Sequence, residues 1–311
     1  MINIDDIKKN KDLLNDRLSS LNINSIFIEQ NKIIEKNFYS KEELHELRSC
    51  AKVLVALAIG IAIDNKMLVD GNALSLDTPI YPMIQNVSHI SNKNNIDKIK
   101  KWRIRDLLTH TTGYESQMLS EKYIEKIDKN SLIDYALNYE IPYGVGKRFA
   151  YNNAEPFILS VFFQEAFKIN LSDFISENIF KKMNIQNYKW ENYGKYCPGA
   201  TGLYLKHSDF HKIGQLLLND GKYCNNQIVS SKWIKEMCEM HLETPSIYKK
   251  ERVLPKIGIG YYTFISRDGY IFRDGSNGQY IILNKEKNLL ITIMSSETDM
   301  KNIIEILRNI I

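Results

Sequence analysis

Ser49-Cys50-Ala51-Lys52 puts a hydroxyl nucleophile and a potential amine base three residues apart, directly before the apolar run Val53 to Ile63. Side chains at i and i+3 share one face of a helix, so an amine at 52 can reach a hydroxyl at 49. Burial disfavours the ammonium form, and the neutral amine is what can take a serine proton near pH 7. The pattern describes nucleophilic acyl chemistry. The same spacing recurs at Ser246-Ile247-Tyr248-Lys249. That copy follows Pro245 in a polar, charge-rich stretch with no apolar helix behind it, so context favours the first. Cys50, one helical position on from Ser49, points about 100° away from it and is read as a packing residue.

The elements that must hold this pair follow from pattern. Residues 5–22 read as an amphipathic helix, with Leu13, Leu14, Leu18 and Leu21 at helical spacing. Residues 25–29 and 32–38 read as strands around a Gln30-Asn31 turn. Asp77-Thr78-Pro79 reads as a turn, and helices are expected over 104–108, 131–138, 155–167, 208–219 and 231–241, the last two each with a serine able to cap it. Four consecutive antiparallel strands are expected over 261–266, 270–273, 279–284 and 289–295, then a closing helix over 301–311. Strands at both ends with helices between imply an α+β fold: one antiparallel sheet built from both chain ends with flanking helices, plus an inserted mainly helical region. The boundaries are 1–48 with 203–311 for the sheet domain and 49–202 for the helical one, with the active site at their interface.

Composition narrows the classes. A length of 311 residues with 44% hydrophobic and 25% charged residues suffices for a sizeable core. The formal charge of +4 is small and its signs are interspersed, which points away from nucleic acid and from anionic membranes. The longest apolar run has 11 residues, too few to span a bilayer, and the first residues carry no signal-peptide pattern. The chain reads as cytoplasmic. Cys50, Cys197, Cys224 and Cys238 form no C-x-x-C pair, so reduced thiols are expected, with no metal and no cofactor.

Three further segments carry a family resemblance. Trp102-Arg103-Ile104-Arg105-Asp106-Leu107-Leu108-Thr109-His110-Thr111-Thr112-Gly113 resembles a segment of the serine β-lactamase-related hydrolases, and Phe149-Ala150-Tyr151-Asn152-Asn153-Ala154 resembles their Y-x-N element. Thr201-Gly202-Leu203 followed by residues 209–221 resembles the stretch before their final strands. Gly275-Ser276-Asn277-Gly278-Gln279-Tyr280 resembles the G-x-G-G-Q-Y of the esterase and 6-aminohexanoate-dimer hydrolase branch. The likeness runs in order from about residue 25 to 296.

The resemblance implies a β-lactamase/transpeptidase-like fold of the penicillin-recognising, class C-like type, and Tyr151 as a third catalytic group facing Ser49 and Lys52. A phenol titrates near 10, so it would share or lose its proton beside the lysine. Asn153 would position Lys52 or hold a substrate carbonyl. A second Y-x-N, at Tyr223-Cys224-Asn225, lies in what reads as a turn. The oxyanion donors would be the Ser49 N–H and one from the strand opening near Gln279, with Gly278 leaving that strand edge open to substrate. His110, beside Asp106, suggests a Ser-His-Asp triad, but in the resembling family that histidine belongs to a structural turn. His207, His211 and His241 show no metal spacing and read as solvated or capping residues.

One departure bears on substrate. β-Lactamases and D-Ala-D-Ala peptidases carry K-T-G or H-T-G where this chain has Asp274-Gly275-Ser276. Asp274 would repel a substrate carboxylate, with Arg273 or Arg267 as possible counter-charges, and Asn277 replaces the second glycine of G-x-G-G. The expectation is a serine hydrolase forming an acyl-enzyme on a small ester or amide. The alternatives are a β-lactamase or D-amino-acid peptidase, an acyltransferase or cyclising thioesterase served by an acyl-carrier domain, and a non-catalytic binding module.

Overall fold

The structure, a computed structural model, describes residues 21–115, 117–120, 124–249 and 253–310. The amphipathic helix expected over 5–22 lies almost wholly outside them. Strands β1 (Ile23–Gln30) and β2 (Ile33–Phe38) form a hairpin. Its two turn residues, Asn31 and Lys32, both have positive φ, 52° and 68°, the turn type whose twist matches paired strands. The turn falls one residue beyond the expected one, because Gln30 remains paired with Ile33.

A short strand β3 (His45–Glu46) leads through a 3-10 turn, Arg48–Ala51, into α1 (Lys52–Asp64). Residues 52 to 62 of α1 are all buried. A helix apolar on every side belongs in the middle of a core, and α1 packs there against α4 (Ala154–Phe167), with α2 (Ile104–Leu108) and α3 (Leu132–Asn138) also against α4. The Trp233 indole lies against Gly60, where a Cβ would sit 2.2 Å from the ring, and its N–H donates to the Ala56 carbonyl at 3.1 Å. Strands β4 (Tyr188–Trp190) and β5 (Leu203–Leu205) complete a small sheet in the order β3-β5-β4, which the sequence pattern did not show.

After α5 (His207–Leu218) and α6 (Ser231–Cys238) come β6 (Leu242–Glu243), β7 (Gly258–Ile259), β8 (Phe264–Ile265), β9 (Tyr270–Gly275), β10 (Gln279–Asn284), β11 (Leu289–Ser295) and the closing helix α7 (Met300–Ile310). They build an antiparallel eight-stranded sheet in the order β6-β7-β8-β9-β10-β11-β1-β2, so β1 pairs with the last strand and the sheet joins both ends of the chain. The strand expected over 261–266 shrinks to Phe264–Ile265, because Tyr262 (φ 56°) turns and its N–H donates to the Leu108 carbonyl at 3.2 Å. The caps also differ. Ser230 rather than Ser231 caps α6, accepting from Trp233 N at 3.1 Å, while Lys206 precedes α5 with no side-chain cap.

Alternation divides the sheet between two cores. Ile281, Leu283, Leu290 and Met294 join the core of α1 and its neighbours, while Ile282, Ile291 and Ile293 face Ile303 and Leu307 of α7. The expectation for His207 and His211 is corrected here. Both are buried beneath α5 in a hydrogen-bonded row. His207 bridges Ser25 and Thr292, and His211 bridges Thr292 (2.8 Å) and Glu29 (3.2 Å), which also accepts from Gln215 at 2.7 Å. Ser25, Glu29 and Thr292 stand on the α5 face of β1 and β11, so the polar groups across that interface satisfy one another. His241 does cap: its ring nitrogen donates to the Glu236 carbonyl near the end of α6 at 2.8 Å.

Candidate active site

Arg48 adopts a left-handed φ of 50°, a sparsely populated conformation for a residue with a side chain. It turns the chain sharply from β3 into the 3-10 turn that carries Ser49. The turn is pinned from outside by Leu47 N–H to the Leu203 carbonyl (2.8 Å) and from within by Cys50 N–H to the Leu47 carbonyl (3.0 Å). A 3-10 turn has three residues per revolution, so residues 49 and 52 stack over one another. Ser49 Oγ lies 3.0 Å from Lys52 Nζ.

Lys52 is fully buried. Its nitrogen also lies 3.0 Å from the Tyr151 hydroxyl, 2.7 Å from Asn153 Oδ1 and 3.3 Å from the Ala200 carbonyl. Burial first, and then the Arg273 guanidinium, holds this amine well below the usual lysine range. Hydrogen-bond valence fits the neutral form. Two N–H donors go to Asn153 Oδ1 and the Ala200 carbonyl, and one lone pair faces the two hydroxyls. Tyr151 OH lies 2.7 Å from Ser49 Oγ, closing a triangle of Ser49, Lys52 and Tyr151. Burial pushes the Tyr151 phenol up, and Arg273 pulls it back.

The Y-x-N segment reaches the site through a division of labour. Asn152 Oδ1 accepts from Glu155 N at 3.1 Å, capping α4. Asn153 is therefore left to turn its Oδ1 to Lys52 while its Nδ2 donates to the Leu119 carbonyl at 3.0 Å. Both ends of that amide are engaged within the protein, so of its two expected roles the geometry supports positioning Lys52. Tyr151 is tethered through its carbonyl, which accepts from Gln117 N at 2.8 Å.

Arg273 is the residue whose place the sequence did not reveal. It is buried on β9. Nη2 donates to the Tyr151 hydroxyl at 2.6 Å, Nε to the carbonyl of Ser49 at 3.0 Å and Nη1 to the Tyr262 carbonyl at 3.5 Å. An arginine next to the apolar Tyr270-Ile271-Phe272 run of a strand was the available signal. Asp274, on the opposite face, pairs with Lys256 at 2.8 Å, both side chains largely buried. The counter-charge thus comes from the segment before β7 rather than from Arg273 or Arg267. Lys256 also lies 4.1 Å over the Phe264 ring. Cys50 is buried, its thiol pushed up by burial and directed at the Arg273 carbonyl 3.6 Å away.

Gly278 differs from expectation. A Cβ on Gly278 (φ 83°) would stand 2.6 Å from Ile303 Cδ1 and 3.0 Å from Ser295 Oγ, so its bare side faces α7 and not a substrate. The Gln279 side chain is fully buried. Its Nε2 donates to the Ser295 and Asn277 carbonyls and its Oε1 accepts from Ser295 N, so it fastens β10 to β11. Only backbone groups of these two residues remain as candidates for substrate. Gly275 is the glycine that meets the turn carrying Ser49: a Cβ there would lie 2.9 Å from the Leu47 carbonyl oxygen and 3.0 Å from Arg48 Cβ.

His110 pairs with Glu155 rather than Asp106, and Asp106 instead accepts from Arg103 N at 2.8 Å at the start of α2. Thr112 donates to Glu155 Oε1 from its hydroxyl (2.5 Å) and its N–H (3.3 Å). Burial holds His110 well below and Glu155 well above their ordinary values, which fits a protonated carboxyl donating to a neutral imidazole. The duplicate motifs lie elsewhere. Ser246 is in an exposed 3-10 turn with Lys249 paired to Glu243 at 3.0 Å, and Tyr223-Cys224-Asn225 lies in a two-residue hairpin with Cys224 at φ 51°.

A family model described as Beta-lactamase matches residues 29–305. The chain belongs to the beta-lactamase family. A search of curated protein sequences found no match. Among solved structures, the chain is similar to EstCE1, "a hydrolase with promiscuous acyltransferase activity", at a TM-score of 0.77 and 12% identity, covering 98% of each chain. It is similar to an octameric penicillin-binding protein homologue from Pyrococcus abyssi (TM-score 0.74, 16% identity, 94% of this chain and 74% of that one). A Bacillus anthracis protein that carries the name 6-aminohexanoate-dimer hydrolase matches with a TM-score of 0.72 and 20% identity over 96% of this chain and 79% of that one. These likenesses establish the serine beta-lactamase/transpeptidase fold, a mixed arrangement of helices and antiparallel sheet. Among the described residues no helix is long and apolar enough to cross a membrane.

Proposed function

We propose that this member of the family is a serine hydrolase that cleaves a small ester or amide through an acyl-enzyme, with Ser49, Lys52 and Tyr151 as its catalytic groups. The observation that carries the reading is the closed triangle of contacts, 3.0, 3.0 and 2.7 Å, around a buried amine whose surroundings favour its neutral form. Ser49 Oγ bonds to the substrate carbonyl carbon as its proton passes to Tyr151 oxygen and the Tyr151 proton passes to Lys52. The carbonyl π pair moves onto oxygen and is held by backbone N–H donors, one of them that of Ser49. Collapse breaks the bond to the leaving group, which takes a proton back along the same relay. Water then attacks the acyl-enzyme with the same pair as base.

The Asp274–Lys256 pair supports an uncharged acyl substrate over a β-lactam or a peptide carboxylate. Lys256 is already matched by the Asp274 carboxylate, so this pair offers no net positive charge to an anion. Acyl transfer is the second reading, favoured by the likeness to EstCE1, a hydrolase with promiscuous acyltransferase activity, and to a simvastatin synthase from Aspergillus terreus (TM-score 0.73, 13% identity, 99% of this chain and 96% of that one). Both readings share the acyl-enzyme and differ in the acceptor, water or an alcohol, amine or carrier thiol.

Intact-protein mass spectrometry after incubation with a fluorophosphonate, p-nitrophenyl esters of varied chain length and a penicillin tests the reading. A single adduct absent from Ser49→Ala supports it. An adduct that survives in Ser49→Ala, or none from any reagent, overturns it.

A further inference from the structure

Arg48 and Thr201 flank the two halves of the Ser49–Lys52 pair. Arg48 directly precedes Ser49, and Thr201 directly follows Ala200, whose carbonyl lies 3.3 Å from Lys52 Nζ. One carboxylate joins them. Glu46 Oε2 accepts from Arg48 Nε at 3.0 Å, while Oε1 accepts from the Thr201 hydroxyl at 2.7 Å and from Gly202 N at 3.0 Å. Both the Glu46 and Arg48 side chains are partly buried, and bonds to an ionised group are the stronger kind. Arg48 needs such a restraint. Its φ of 50° is left-handed, and a residue with a side chain keeps that conformation only where its surroundings over-determine it.

We propose that Glu46 is a positioning residue for this reaction, one that keeps Ser49 and Lys52 in register by holding the residue before the nucleophile and the segment behind the amine on a single carboxylate. The proposal rests on the acyl-enzyme reading of the site. Each connection is one residue long, from Arg48 to Ser49 and from Thr201 to Ala200, so a shift at the carboxylate is passed to the reacting atoms with little slack. Backbone bonds hold the same segments in outline. Leu47 N donates to the Leu203 carbonyl at 2.8 Å, Glu191 N to the Gly202 carbonyl at 2.9 Å, and the Trp190 indole N–H to the Thr201 carbonyl at 3.1 Å. These survive the loss of Glu46, so the fold persists while the register relaxes. A glutamine cannot replace the carboxylate. Its amide has one accepting oxygen, so in either orientation its N–H group faces a donor, Arg48 Nε on one side or Gly202 N on the other.

The rate of fluorophosphonate labelling, followed by intact-protein mass spectrometry, reads this register without a known substrate. Glu46→Gln should lower the rate by about tenfold to a hundredfold, the scale of a misplacement near 1 Å. On a p-nitrophenyl ester the loss should fall on kcat and leave KM close to wild type. The Arg48→Gly background separates positioning from a general structural effect. Glycine adopts the left-handed conformation without a restraint, and with the guanidinium gone the glutamine can turn its oxygen to Thr201 and Gly202. In that background Glu46→Gln should change the labelling rate by no more than about twofold, as for uncoupled sites. A wild-type rate in Glu46→Gln, or an equal loss in both backgrounds, overturns the proposal. If Glu46→Gln does not fold, Thr201→Val, which removes one of the two donors to Oε1, takes its place. A several-fold loss there supports the proposal and a wild-type rate overturns it. A wild-type protein that forms no adduct defeats the acyl-enzyme reading instead. Crystal structures of wild type and Glu46→Gln then decide the positioning: a widened Ser49 Oγ to Lys52 Nζ separation supports it, and one that stays at 3.0 Å overturns it.

Discussion

Asn153 Oδ1 lies 2.7 Å from Lys52 Nζ, and the other end of the same amide is fixed on the Leu119 carbonyl at 3.0 Å. The side chain cannot rotate to serve a substrate without releasing the lysine. Its place in the site is explained by orientation of the Lys52 amine, and it stands where a helix cap would otherwise be because Asn152 performs the capping.

Asn153→Ala should therefore lower kcat by about tenfold to a hundredfold, since loss of one buried hydrogen bond to a reacting group costs about 1–3 kcal/mol. KM for a small neutral ester should change little. Asn153→Asp should behave differently. A carboxylate facing Lys52 favours its ammonium form, so the acid limb of kcat/KM moves to higher pH. Steady-state rates from pH 5 to 10 separate the two effects, and a rise in KM without loss of kcat would instead place Asn153 against the substrate.

Two glycines predict opposite phenotypes. Gly278→Ala drives a methyl into Ile303 and Ser295 at a φ of 83°, so thermal unfolding should show about 1–3 kcal/mol of destabilisation, typical of overpacking. Gly275→Ala meets the backbone of Leu47 and Arg48, so it should displace the nucleophile turn and reduce fluorophosphonate labelling out of proportion to any stability loss. Equal stability and activity losses in both variants would contradict this division.

Substrate charge is testable at Asp274. Asp274→Asn removes the carboxylate paired with Lys256 at 2.8 Å, leaving local charge more positive by one. KM for an ester bearing a free carboxylate should fall by several-fold while KM for its neutral analogue is unchanged. Parallel changes for both esters would mean that the pair does not face the substrate.

Glu155 gives a pH signature in stability. Its folded pKa is raised, so above its unfolded value of about 4.3 the folded chain holds a proton that the unfolded chain has released. Wild-type stability conferred by this group is present below that value and is lost as pH rises toward the folded pKa. Glu155→Gln lacks the titration, so denaturant unfolding from pH 4 to 7 should show wild type losing ground to the variant. A constant difference across that range would show that Glu155 enters the fold ionised. His110 has the opposite sign, gaining stability toward pH 6.5 as the unfolded imidazole gives up its proton, and Glu155→Gln retains it.

The parts of this molecule legible in the sequence were those decided by near neighbours. Ser49 and Lys52 meet because three residues make one tight helical turn, and α1 is recognisable because every side of it is apolar. The strands β9, β10 and β11 were readable as apolar runs between turns. The short β3, β4, β6 and β7 were not, because two or three residues carry no periodicity. The buried row of Ser25, His207, Thr292, His211 and Glu29 was equally silent. Each is an ordinary polar residue until the alternation of β1 and β11 turns it toward α5.

The sequence by itself determined the Ser49–Lys52 pairing, the order of the larger elements and the family, since these depend on local spacing and on motifs in linear order. Tertiary structure alone decided what surrounds them. Tyr151 reaches Ser49 across 102 residues and Arg273 reaches Tyr151 across 122, and no local pattern encodes either approach. Gly278 illustrates the reason. Its lack of a side chain is visible in the sequence, but whether that space faces a substrate or Ile303 depends on where a helix from the end of the chain is packed.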